Sequence, residues 1–282
     1  PRLLGFGITE ILIWLPAAGL VAALVGALVA PLATRLRGLY LAIVTLGLVL
    51  VGEHFFEHWR SISGGAGVGR SAPTVTLFGY RLDRDGDMVL GLGSWELGPF
   101  TRAQQLFWLM LVLLVIGALV ARNIARSNVG RAFTAIRDRD IAAAVIGVNL
   151  FKEKTVAFAI SSFYAGCFGA LFFVVVGHAT PTSFGLFLSI TMIVMVLIGG
   201  PGTISGAIAG AFLIALLPNF AEWLAADVPF LSTDPRAVWN VESIEAIFYG
   251  LLIVGFLLFE PRGLFGIWFR IRNWFRAYPF SH

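Results

Sequence analysis

Charged and apolar positions do not alternate along this chain; the charges bunch between seven apolar runs. The runs lie near Ile11 to Ala33, Gly38 to Phe56, Leu106 to Ala121, Thr155 to Val176, Leu186 to Gly200, Ile204 to Phe220 and Ile244 to Phe259. A backbone in lipid must satisfy its own hydrogen bonds, which leaves helices or closed barrels, and no alternating barrel-strand pattern is present. The pattern predicts an all-α integral membrane protein, a polytopic transmembrane helix bundle with about seven visible apolar segments in one domain over residues 1–282. Several runs are shorter than the roughly 20 residues of a straight span. The fifth and sixth meet at Gly199, Gly200, Pro201 and Gly202, a strong helix breaker, so one of them is expected not to cross fully.

Composition agrees: 58% of residues are hydrophobic, 13% are charged and the mean hydropathy is +0.87. A net charge of +4 raises the question of nucleic acid, yet the basic residues are scattered among helix ends rather than gathered on a face. Topology explains them better. With the loop 122–154 cytoplasmic, that side also takes Arg35, Arg37 and the basic tail 261–282, for 13 of the 20 basic residues; the other side takes 7. Arg270, Arg272 and Arg276 then face the anionic leaflet. Loop 57–105 is extracytoplasmic. The odd number of runs and the start at Pro1, with no initiator methionine and no signal-peptide pattern, lead us to expect further helices ahead of residue 1.

The polar chemistry is sparse. Cys167 is the single cysteine, so neither a disulfide framework nor a cysteine metal site can be built. Glu53, Glu245 and Glu260 all stand near helix ends and no Asp, Lys or Arg lies mid-span, which weighs against a proton-coupled carrier or a membrane-embedded hydrolase. A Walker A loop needs lysine directly after glycine, whereas the two lysines follow Phe151 and Glu153. The segment His54 to His58 matches H-x-x-E-H, but no further ligand is evident and no metal site is assigned. In loop 57–105, Thr74 to Leu77 suggests a small hairpin, and Asp83, Asp85 and Asp87 read as a solvated turn because the rest of an EF-hand is lacking. On the cytoplasmic side Asn128 can cap a short helix, Asp138 or Asp140 a second, and Gly147 can end it. That second helix, Ile141 to Ile146, is apolar all round, too short to span and flanked by charge. Either its own bundle or a docking partner must cover it.

Gly130, Arg131 and Ala132, Ala135, Ile136, Arg137 and Asp138, and Ile141 through Val148 resemble the cytoplasmic coupling loop of the branched-chain amino acid permeases of ABC importers, of the LivM type. Leu36 to Leu46, Ser63-Gly64-Gly65, Ile198 to Gly206 and Pro261 to Gly266 follow in that family's order, with Ser63 where the family usually has Thr. The resemblance implies a multi-pass permease of the bacterial inner membrane that works by alternating access. It also implies a second permease subunit, two cytoplasmic ATPase subunits that carry ATP and Mg, and an extracytoplasmic solute-binding protein. This chain is then no enzyme and binds no cofactor of its own. The expected ATPase-coupling residues are Gly130, Arg131, Ala135, Ile136, Arg137, Asp138, Asp140, Ile141, Ala142, Ala143 and Gly147. Thr45 and Thr191 are expected on the solute path, with Ser63, Gly64 and Gly65 at its outer mouth. Gly199, Gly200, Pro201, Gly202, Gly206 and Gly210 serve either helix packing or a break that lines the path. Urea or a short amide fits the same build, and a passive channel or secondary transporter is the more distant alternative.

Overall fold

The computed structural model describes residues 10–36, 39–65, 67–72, 75–77, 80–81, 90–92, 95–97, 101–227, 247, 250–251, 254–256, 258, 260 and 263–277. Asp83, Asp85, Asp87 and Glu245 lie outside them. The chain divides into two compact units, Pro1–Gly185 and Leu186–His282.

The first unit holds α1 (Ile11–Arg35), α2 (Leu39–His58), the single turn α3 (Arg60–Ser63), five short strands, α4 (Arg102–Arg126), α5 (Asn128–Asp138), α6 (Asp140–Val145), α7 (Leu150–Val176), β6 (His178–Ala179) and a 3-10 turn over Pro181–Phe184. The strands are β1 (Arg70–Ser71), β2 (Thr76–Leu77), β3 (Tyr80–Arg81), β4 (Leu90–Leu92) and β5 (Trp95–Leu97). The expected hairpin is β2 with β3, a second is β4 with β5, and β1 pairs antiparallel with β6. Helices α1 and α7 meet along a seam of small residues. A Cβ on Gly26 would fall 2.1 Å from the Ser162 hydroxyl, and one on Gly166 would fall 2.5 Å from the Ala22 methyl. Apolar burial drives little association in lipid, so this closeness supplies dispersion that bulkier residues would forfeit. Tyr164 of α7 donates to the Gly117 carbonyl of α4 at 2.9 Å. At one end Ile11, Val75, Leu106 and Val174 close a core over α1, α4, α7 and the strands.

The second unit holds α8 (Leu186–Gly199), α9 (Ile204–Asp227) and α10 (Gly263–Ala277). Val194, Ile198 and Ile214 form its buried core. At 14 residues α8 is about 21 Å long, and it reaches 19 residues as a candidate span only with the 3-10 turn before it. Residues Ile11–Leu32, Arg102–Arg126 and Leu150–Val176 are long and apolar enough to cross a membrane on their own. Gly199, Gly206 and Gly210 share the close α8–α9 contact, whereas α9 starts at Ile204, so Gly202 sits in the preceding turn with φ +83° and not on the helix face expected from its spacing. Gly200 is buried in that break, where a Cβ on Gly263 would come within 2.6 Å of its amide nitrogen, while Pro201 and Gly202 are exposed. Helix α10 interleaves exposed Trp268, Trp274 and Phe275 with arginines. Arg270 bonds the nearly buried Glu260 at 2.7 Å and Arg272 lies 4.6 Å over the Phe269 ring.

Candidate functional sites: a capped helical elbow and an apolar cavity

Helix α4 opens on a capping box in which Thr101 and Gln104 satisfy each other's backbone N–H groups. It ends at Ser127, which serves two helices at once: its hydroxyl donates to the Ile124 carbonyl at 2.7 Å and accepts from the Gly130 N–H at 3.4 Å. Ser127, not Asn128, is therefore the cap of α5. Asn128 lies inside the first turn and accepts a hydrogen bond from Arg131. A Cβ at Gly130 would fall 2.4 Å from the carbonyl oxygens of both Ile124 and Ala125, so the tight α4–α5 elbow requires glycine there. Extended backbone at Arg139 separates α5 from α6. Neither Asp138 nor Asp140 caps α6: Arg139 holds the cap position and Asp140 is in the first turn, where its charge suits the helix dipole. Gly147, at φ +92°, turns the chain out of α6, and Asn149 caps α7 by accepting from the Lys152 N–H at 3.0 Å.

On α6 the residues divide sharply. Ile141, Val145 and Ile146 are 72%, 82% and 75% exposed, whereas Ala143 is 2% exposed. Ala143 thus turns into its own chain, and Ala142 and Ala144 are exposed beside the aliphatic face. Ala135 and Ile136 are half-buried, and Arg137 pairs with Asp138 at 3.3 Å in the open. An open groove of about 690 Å³ runs along Ile136 to Ala142 and Lys154.

At the opposite end of α7 a cavity of about 530 Å³ is walled mainly by apolar groups. Leu48, Val49, Glu53 and Phe56 come from one face of α2, Phe173 from α7, and Thr180 and Phe184 from the 3-10 turn. Ser63 and Arg70 complete it. The chain leaves α7 through Gly177 in the left-handed region and enters β6, which pairs Ala179 with Arg70 of β1. Gly69 permits this, since a Cβ there would lie 2.5 Å from the Ala179 oxygen. The 3-10 turn is closed by mutual Thr180 and Ser183 bonds, and Phe184 stands edge-on to Phe172 at 5.6 Å.

Of the polar residues expected on a solute path, Ser63 lines the cavity. The Ser63 hydroxyl shares its one proton between the carbonyls of Phe56 and Trp59, at 2.5 and 3.1 Å, and accepts from the Gly65 N–H at 3.1 Å, so it ties α2 to α3 at the cavity rim. Gly64 and Gly65 take φ of +85° and +93° in that turn. Thr191 donates to the Phe187 carbonyl at 3.0 Å within α8. Thr45 precedes Leu48 and Val49 by one turn on the cavity face of α2. Glu53 and Arg70, which the sequence reading treats only as a helix-end acid and a topology charge, both line the cavity. The donor atoms of His54, Glu57 and His58 lie within 4.8 Å of one another. Their spacing on one helical face accounts for that without a ligand.

Residues 3–257 match the family model described as the permease component of a branched-chain amino acid transport system. The chain belongs to this permease family. It is 34% identical over 255 residues to the high-affinity branched-chain amino acid transport system permease protein LivM of Escherichia coli K12, covering 89% of this chain and 56% of the relative. LivM of Salmonella typhimurium is 32% identical over the same shares. The xylose transport system permease protein XylH of Escherichia coli K12 is 28% identical over 177 residues, 61% of this chain and 43% of the relative. The chain spans little more than half the length of the LivM relatives. No solved structure matches it significantly. Membership of this family and several helices long and apolar enough to cross a membrane agree with a multi-pass membrane protein.

Proposed function

We propose that this chain is the permease subunit of an ATP-driven importer in the bacterial inner membrane, moving branched-chain amino acids by alternating access. A second permease, two cytoplasmic ATPase subunits and an extracytoplasmic binding protein complete the machine. The similarity to LivM supports the solute class. The observation that carries the coupling role is α6, where Ile141, Val145 and Ile146 stand more than two-thirds exposed beside charged Arg137, Asp138 and Arg139. A lipid-facing helix has no reason for that flanking charge, and a solvent-facing one has no reason for three aliphatic side chains; a protein groove accommodates both. ATP and Mg bind on the partners, whose motion reaches this chain through α5 and α6. The α5–α6 elbow and α10 face the cytoplasm, and α10 lies along the inner leaflet with its aromatic residues at headgroup depth.

The test is Val145→Glu. At 82% exposure the new carboxylate is solvated in the undocked chain, so the protein folds and reaches the membrane normally. In a docked complex it is buried without a partner, which costs several kcal/mol. The variant is expected to lose the ATPase subunits on purification and to lose leucine uptake. Persistence of both refutes the docking role. Uptake of xylose or urea in preference to leucine by the unmodified importer refutes the solute class.

A further inference from the structure

We propose that the 530 Å³ cavity receives the solute as a zwitterion at the outer mouth of this permease, Glu53 taking its ammonium and Arg70 its carboxylate. This rests on the amino-acid importer reading above. The cavity has the build of a small-molecule site, with apolar walls and a few fixed polar groups, and its volume falls in the usual range of about 300–1,000 Å³. Leu48, Val49, Phe173 and Phe184 offer an aliphatic side chain the surface it needs.

The two charges are what distinguish this cavity from a lipid-filled crevice. Among the described residues, no hydrogen bond or ion pair engages the Glu53 carboxylate. Arg70 gives one N–H to the Ser61 carbonyl, leaving other donors of its five-donor fork. Opposite charges that line one cavity without an ion pair between them suit a ligand carrying both signs. The Glu53 oxygens lie 3.5 Å from where a Cβ on Gly185 would stand, just past the 3-10 turn, and the Arg70 backbone is paired in β1–β6 over Gly69. Arginine matches a carboxylate bidentately, and an ammonium against a carboxylate is likewise charge-assisted, so both bonds outlast partial exposure to water better than neutral ones. A sugar or urea gains from neither pairing.

The experiment uses the complete importer with its partner subunits. A cysteine replaces Phe184 in a Cys167→Ser background, and its labelling by an impermeant maleimide is timed with leucine, 4-methylpentanoate, isoamylamine or urea present. Leucine is expected to slow labelling while the singly charged analogues and urea do not, and the protection is expected to vanish in Glu53→Gln and in Arg70→Gln. ATP-driven uptake of leucine by proteoliposomes is expected to fall about tenfold or more in each of those two variants, the loss of one charge-assisted contact. Co-purification of the ATPase subunits monitors folding, and Arg70→Lys should restore part of the uptake. Equal protection by isoamylamine or 4-methylpentanoate, or uptake unchanged in both Gln variants while the unmodified importer carries leucine, overturns the zwitterion site alone. An unmodified importer that carries no amino acid overturns the importer reading and this proposal with it.

Discussion

Gly210→Ala should weaken the second unit, and the size of the effect can be worked from its surroundings. A Cβ there would lie 2.0 Å from the Met195 carbonyl oxygen and 2.7 and 2.8 Å from the backbone nitrogen and Cα of Gly199. All three are backbone atoms of α8, so no rotamer change relieves them. The helices must part by about 1.4 Å to restore an ordinary contact. Val194, Ile198 and Ile214, at 5%, 0% and 1% exposure, fill this interface. A gap of that size forfeits about half of each facing atom pair's ~0.1–0.2 kcal/mol, which over roughly a dozen facing pairs for each of the three side chains comes to about 3 kcal/mol. Alanine returns about 1 kcal/mol as the better helix former. The net loss is about 2 kcal/mol, within the range for overpacked cores. Nothing lies within 4 Å of a Cβ at Gly47 in α2, so Gly47→Ala collects the helix term alone and should be neutral or slightly stabilising. Thermal unfolding of the purified chain in detergent, followed by tryptophan fluorescence, separates the two. If Gly210→Ala melts with the unmodified protein, or Gly47→Ala loses as much as Gly210→Ala, the close α8–α9 approach is not what holds this unit.

Two further outcomes test separate features. Single cysteines at Val68 and Val145, both well exposed, in a Cys167→Ser background should label from opposite sides of the membrane with an impermeant maleimide; labelling of both from one side overturns the orientation. Arg270→Ala should lower the melting temperature modestly, by about 1 kcal/mol in stability once the 74% exposure of Arg270 is allowed for, because the 11% exposed Glu260 side chain loses its cation. Glu260→Gln combined with Arg270→Ala should recover part of that loss, and no recovery means the loss does not come from a stranded Glu260 carboxylate.

The helices were legible because lipid imposes one solution on a long apolar run, so α1, α2, α4, α7, α8 and α9 fall where the hydropathy places them. Their ends were less so. The apolar run from Leu106 to Ala121 becomes a helix from Arg102 to Arg126, since a capping box and a serine stop set its limits rather than hydropathy. Asn128 looked like a cap, but Ser127 one residue earlier satisfies two helix ends with a single hydroxyl. An all-apolar stretch such as Ile141 to Ile146 cannot announce which side faces inward; contact with α5 and α7 decides that it is Ala143. The cavity was illegible for a different reason. Glu53 sits on a readable helical face with Val49 and Phe56, but Arg70 reaches the same wall only through β1 and β6, two residues each, too short for any periodic signal.

In the proposed importer, the α5 and α6 segment between α4 and α7 is the route by which a partner's motion would reach the membrane helices. Helix α6 is joined to α7 by the bond from the Val148 N–H to the Ala143 carbonyl at 3.0 Å and by the Asn149 cap immediately after it. On its other side the Arg139 N–H reaches the Ala135 carbonyl of α5 at 3.0 Å, and α5 is pinned to α4 through Ser127 and the Gly130 contact. Along this path from α4 to α7 each junction carries a backbone bond or a cap. A displacement of the exposed Ile141 and Val145 face is therefore passed to two long helices at once. These two helices are also joined directly, by the bond from Tyr164 to the Gly117 carbonyl. Further along, α7 carries Gly169, Ala170 and Phe173 on the wall of the cavity that holds Glu53 and Arg70. One continuous helix of 27 residues thus runs from the proposed docking face to the proposed solute station, and a rigid tilt of α7 suffices to couple them.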